Sequence, residues 1–236
     1  MRRGRNMQAG RPIGAGRAEN SEPVSDAIAF SFYATKNMAT GDGGMVTTHN
    51  EALAARMRML SLHGMNRDAW DRYSERGKYN LTDIQSAIGI HQLRKLESFI
   101  ETRARYAGIY QQELGDLAEV ELPSERPGTR HAWHLYILRL NLDQRNIDRQ
   151  GFITSLRNKG VGTSVHFIPI PLHPYFAKLH IGERRCNHAL ELYPRFVSLP
   201  LYPAMTEEQV YYVAQCVKDI VTEHRSSTQV CLTEAG

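Results

Sequence analysis

The run SFYATKNMATGDGGMVTT, residues 31–48, decides how this chain is read. Both ends are rich in strand formers: 27–33 reads as one strand and 44–48 as a second. Between them a polar break holds one lysine, Lys36, followed by Gly41-Asp42-Gly43-Gly44. The glycines read as a tight turn feeding the second strand. They form neither a Walker loop, which needs Gly-Lys-Ser/Thr, nor a dinucleotide fingerprint. A lysine between two strands is ordinarily a solvated turn residue. The question is whether Lys36 is such a residue or is held there for chemistry.

Lysine chemistry has requirements that can be looked for. The amine must be partly desolvated so that its neutral form is accessible, and it must meet a carbonyl, most familiarly that of pyridoxal phosphate. The cofactor phosphate needs hydroxyl and backbone N–H donors, and the backbone must pass close by, which favours small residues. Ser31 at the end of a strand and the glycines after Lys36 meet both needs. Taken alone, Ser31 also reads as a strand-end hydroxyl, and Lys36 as a turn residue.

Outward from this run, residues 51–61 read as a helix and 63–79 as irregular. Thr82-Asp83-Ile84-Gln85 is a capping box, and Ile84, Ile88, Leu96 and Ile100 recur near helical spacing to about Leu114. This predicts a long connecting helix. Pro123 and Pro127 then break the pattern. Alternation over 132–137 predicts a strand, 147–159 a helix stopped by Gly160, and 161–167 a further strand. After a proline-rich turn, 183–192 reads as a short helix. Thr206-Glu207-Glu208-Gln209 is a second capping box opening a terminal amphipathic helix to about His224.

Bulk properties narrow the classes. The chain has 236 residues, 23% charged and 42% hydrophobic, which suits a globular protein with a sizeable core. Net charge is +4, and five arginines lie among the first 17 residues. That arm reads as a solvated terminus; nucleic acid is not expected as a partner. Cys186, Cys216 and Cys231 are odd in number and widely spaced, giving no disulfide framework or zinc motif and suggesting a cytoplasmic setting. No apolar run reaches the roughly 20 residues of a membrane span, and no secretory signal is visible. His131, His134 and His166 lack a third ligand at metal-binding spacing, so no metal is expected.

The 31–46 stretch closely resembles the lysine motif of the DegT/DnrJ/StrS sugar aminotransferases, fold type I, pyridoxal-phosphate enzymes of nucleotide-sugar metabolism. The likeness continues in order through His63-Gly64, the segment from Lys78 to Ala87, that from His131 to Tyr136, and that from Gly162 to Phe167. It ends with Leu172-His173-Pro174-Tyr175 and Ser198-Leu199-Pro200-Leu201. It spans about residues 26–225.

The resemblance implies roles residue by residue. Lys36 matches the Schiff-base lysine, which also shuttles a proton. Ser31 matches the serine bonded to the cofactor phosphate. Asn80 matches an asparagine that reaches the phosphate in the neighbouring subunit, which implies a homodimer with composite sites. His173 falls where some members place a substrate-contacting histidine. A related dehydratase branch carries histidine at the lysine position, and Lys36 argues against it.

The resemblance also implies a fold: α/β, with a remnant of the fold type I large domain, a long connecting helix and a small C-terminal α/β domain. The expected divisions are a basic segment 1–25, the cofactor-domain part 26–81, the helix 82–118, the small domain 119–225 and a tail 226–236. Family members carry roughly 150–170 further residues ahead of the matched region, in line with a whole large domain. Those residues hold the aspartate that pairs with the pyridine nitrogen, the ring-stacking residue and further phosphate donors. No Asp precedes Ser25 here. The expectation is therefore a truncated aminotransferase that is inactive alone, using an amino-acid donor such as glutamate and a nucleotide-linked keto sugar. The competing reading is a non-catalytic remnant or accessory protein that keeps the small domain and the dimer surface.

Overall fold

The computed structural model describes residues 25–64, 77–144, 146–179 and 186–225. The arginine arm, most of the irregular 63–79 stretch, the start of the 183–192 helix and the tail lie outside the described residues. The chain divides into two units: Met1–Phe99 with Glu125–His131, and Ile100–Ser124 with Ala132–Gly236.

In the first unit, β1 (Ile28–Ser31) and β2 (Gly44–Thr47) pair antiparallel, with Ile28 opposite Thr47 and Ser31 opposite Gly44. Among the described residues these two strands form a sheet by themselves. Helix α1 (Glu51–Ser61) follows, started by Asn50, whose side chain accepts from Leu53 N–H at 3.0 Å. Helix α2 (Asp83–Leu114) begins in this unit with its predicted capping box formed: Gln85 N–H donates to Thr82 Oγ1 at 3.3 Å, and Thr82 N–H to Gln85 Oε1 at 3.2 Å. Little is buried here. Phe32 is inside, while Phe30, Met45, Val46, Ile84 and Ile88 are exposed.

The second unit has the core. Its chain order is the end of α2, β3 (Val120–Glu121), β4 (Tyr136–Leu140), α3 (Arg149–Asn158), α4 (Pro174–Ala177), α5 (Asn187–Leu192), β5 (Phe196–Leu199) and α6 (Glu207–Glu223). The strands form one antiparallel sheet in the order β3-β4-β5. Tyr136, Leu138 and Leu140 point one way from β4 and are fully buried. Against that cluster pack Phe152 and Leu156 of α3, Tyr106, Tyr110 and Leu114 of α2, and Val210, Val213, Val217, Ile220 and Val221 of α6. The i, i+3, i+7 spacing on α6 puts these side chains on one face, each worth about 1.5–3 kcal/mol when fully buried. The second capping box forms as read: Thr206 Oγ1 accepts from Gln209 N–H, and Gln209 Oε1 accepts from Thr206 N–H.

Two strand expectations fail, for identifiable reasons. The strand predicted over 132–137 begins only at Tyr136. Trp133 adopts φ 44°, a left-handed conformation that no strand can hold. The buried guanidinium of Arg103 takes the carbonyls of Trp133 and His134, at 3.2 and 3.3 Å, which a strand would have offered to a neighbour. The strand predicted over 161–167 is reduced to one bridge, Ser164 to Ser198. Only these two residues exchange backbone bonds, at 2.8 and 3.2 Å, and prolines at 169 and 171 cannot extend the ladder. The sequence reading also missed the two-residue β3 and β5.

Candidate active site

The connection between β1 and β2 is an ordered structure. Phe32 N–H donates to Gly43 O and Thr40 N–H to Phe32 O, both at 2.9 Å, which closes the loop at its base. Lys36 lies within, in a turn where its own N–H donates to Tyr33 O at 2.9 Å. Its side chain is half-buried, and no carboxylate pairs with it among the described residues. Asp42 is occupied by its own turn: its Oδ1 accepts from Gly43 N–H at 2.8 Å, and its carbonyl accepts from Thr40 Oγ1 at 2.6 Å.

The start of α2 braces this loop. Gln85 Nε2 donates to Asp42 O at 3.0 Å. Gly43, at φ 123°, lies so close to Leu81 that an added Cβ would meet its Cδ1 at 2.5 Å. Gly89 is a second close approach: a Cβ there would lie 3.2 Å from Thr40 Cγ2 and 3.6 Å from Met38 Cε. The two glycines thus have different duties, conformation at Gly43 in the turn and helix-to-loop packing at Gly89 in α2.

The other predicted site residues fall as follows. Ser31 ends β1 and is exposed; its Oγ is 3.4 Å from Tyr33 N–H, a long contact that leaves the hydroxyl available. Asn80 is exposed just before α2, with Nδ2 a long 3.4 Å from Leu81 O. Ser31, Lys36 and Asn80 therefore belong to one unit, with Asn80 adjoining the Leu81 that packs on Gly43. His173 belongs to the other unit, exposed at the start of α4, its Nε2 3.3 Å from Ile168 O.

Among the described residues, an amine paired with no carboxylate, a hydroxyl at the strand end and an exposed carboxamide are the kinds of group a phosphate-bearing aldehyde needs. Among the described residues, no cluster of three His, Cys, Asp or Glu side chains is placed to hold a metal. No described helix is long and apolar enough to cross a membrane.

Comparison with known proteins places the chain in a family. The spore coat polysaccharide biosynthesis protein SpsC of Bacillus subtilis is 43% identical, the match covering 84% of this chain and 54% of SpsC. Among solved structures, S. venezuelae DesV in complex with a ketimine intermediate superposes with TM-score 0.78 at 30% identity, covering 89% of this chain and 53% of DesV. DesI in the presence of its TDP-sugar product superposes with TM-score 0.78 at 26% identity, covering 92% of this chain and 53% of DesI. The chain thus spans about half the length of the proteins it matches. The family model for DegT/DnrJ/EryC1/StrS aminotransferases matches residues 13–218, and the chain belongs to that family.

Proposed function

We propose that this chain carries the cofactor lysine of a pyridoxal-phosphate-dependent aminotransferase that moves an amino group from an amino acid, glutamate, onto the keto group of a nucleotide-linked sugar. The observation that carries this reading is the closed β1–β2 loop, which presents Lys36 five residues after Ser31 in a chain of this family. DesI with its TDP-sugar product and DesV with a ketimine support the substrate and cofactor classes. Pyridoxal phosphate, when bound, supplies the aldehyde that takes the amino group and a ring that stores the electron pair.

The chain's own residues then have separate tasks. Lys36 Nζ would hold the cofactor and would take up and return the proton of the donor carbon. Ser31 Oγ donates to the phosphate. Asn80 Nδ2 donates to the phosphate bound by a second copy, giving a homodimer with shared sites. His173 orients the sugar. The reaction belongs in the cytoplasm.

We expect no turnover from the matched region alone, which spans about half the length of its relatives. Among the described residues the two-stranded sheet leaves Phe30, Met45 and Val46 exposed, and an open apolar strand pair ordinarily has more sheet beside it. The resemblance places the pyridine-nitrogen aspartate and the ring-stacking residue outside the matched region. The same observation favours a second reading, a non-catalytic remnant held together by the core of the second unit. Spectrophotometric titration with pyridoxal phosphate separates the readings. The chain alone is expected to give no tight visible band and no aminotransfer. Joined to the part of SpsC that precedes the match, it is expected to give a band that Lys36→Ala removes, with glutamate-dependent transfer. Lys36-dependent turnover by the chain alone would overturn that expectation. A folded, joined protein without a Lys36-dependent band would favour the non-catalytic reading.

A further inference from the structure

Gln85 does more than cap a helix. Its Oε1 accepts from Thr82 N–H at 3.2 Å and from Thr82 Oγ1 at 2.9 Å. Its Nε2 donates to the carbonyl of Asp42, 43 residues away in sequence, at 3.0 Å. A carboxamide has both an acceptor and a donor end, so one side chain joins two pieces of backbone. The Asp42 carbonyl it grips is also the acceptor for Thr40 Oγ1, at 2.6 Å. Thr40 N–H in turn closes the Lys36 loop on Phe32 O, and Gly43, next to Asp42, closes it on Phe32 N–H. At the other end, Thr82 lies two residues after Asn80.

We infer that Gln85 is a positioning residue: it locks the Lys36 loop to the first turn of α2, and so fixes the lysine and the Asn80 segment relative to each other. The placement rests on the reading of Lys36 and Asn80 as cofactor-binding groups; the lock itself rests on the bonds alone. Leu81 against Gly43 and Thr40 against Gly89 are the apolar half of the same joint. Residue type matters here. Glutamate at 85 still closes the capping box but has no N–H to give Asp42 and puts a carboxylate against its carbonyl.

The test compares Gln85→Glu with Thr82→Ala by amide hydrogen exchange on the full chain. Gln85→Glu is expected to speed exchange at Phe32 and Thr40 about fivefold, the loss of one hydrogen bond to a loop, while the α2 amides beyond the cap keep their protection. Thr82→Ala is expected to do the reverse, fraying the start of α2 and sparing the loop. Equal patterns in the two variants, no change at Phe32 and Thr40, or unprotected Phe32 and Thr40 in the parent would each overturn the lock. In the chain joined to the preceding part of SpsC, pyridoxal phosphate affinity is expected to fall about fivefold in Gln85→Glu and to hold in Thr82→Ala, since one hydrogen bond is worth about that factor. A role confined to the helix cap makes Thr82→Ala the worse of the two and overturns the proposal. If Lys36 binds no cofactor in the parent while the exchange pattern appears, the functional reading fails and the lock stands.

Discussion

Arg103 brings a charge into the second unit and meets carbonyls instead of a carboxylate. Its Nη1 donates to Trp133 O, His134 O and, at 2.6 Å, Leu201 O, and burial lowers its pKa from the ordinary guanidinium value. Arg103→Met should leave these carbonyls without a donor and cost about 3 kcal/mol, read as a lower urea midpoint with unchanged slope. Lysine should rescue it only in part, because its stem is one atom shorter than the path to Nη1 and sets its ammonium back from the three carbonyls. Nothing local in the sequence announces this: Leu201 is 98 positions from Arg103. The same distance effect hid the Gln85–Asp42 bond. The loop that carries Lys36 and Ser31 was legible because a strand, a turn and a strand lie next to one another in sequence, whereas the roles proposed for them come from the resemblance. Burial also pushes the Tyr110 and Tyr136 hydroxyls well above the ordinary phenol range, with Tyr136 adding to the effect on Tyr110. Both stay neutral core groups at working pH.

At the scale of the element, helices were the readable part. Asn50, Thr82, Asp148 and Thr206 each open a helix with a side-chain cap, and short-range chemistry sets such boundaries. Strands were less readable, because β5 and the bridge at Ser164 exist only through partners far along the chain. Thr206→Ala should cost about 1 kcal/mol, read as a fall in the melting midpoint. A second check uses pH. The Thr206 side chain, followed by a backbone bond, holds the Glu208 carboxyl below its ordinary value. A depressed carboxylate stabilises the fold above its unfolded pKa and loses that contribution as pH falls through the folded value. The melting-point advantage of the parent over Glu208→Gln should therefore be present at neutral pH and fade in the acid range; an advantage that grows on acidification would contradict this.

At the scale of the whole molecule, the two units differ in how they are held. The second buries a continuous cluster from α2, β4, α3 and α6. The first keeps Phe32 and Thr40 inside and leaves Phe30, Met45 and Val46 exposed. Hydrogen exchange should reflect this, with slow amides on β4 and α6 and faster ones on β1 and β2. Family membership follows from the match over residues 13–218, whereas the roles proposed for Lys36, Ser31, Asn80 and His173 rest on the resemblance. The most direct test of the central claim is to join this chain to the part of SpsC that precedes the match, add pyridoxal phosphate, reduce with borohydride and locate the modified residue by mass spectrometry. One pyridoxyl group is expected, on Lys36, absent from Lys36→Ala. Modification of other lysines with Lys36 untouched would contradict it.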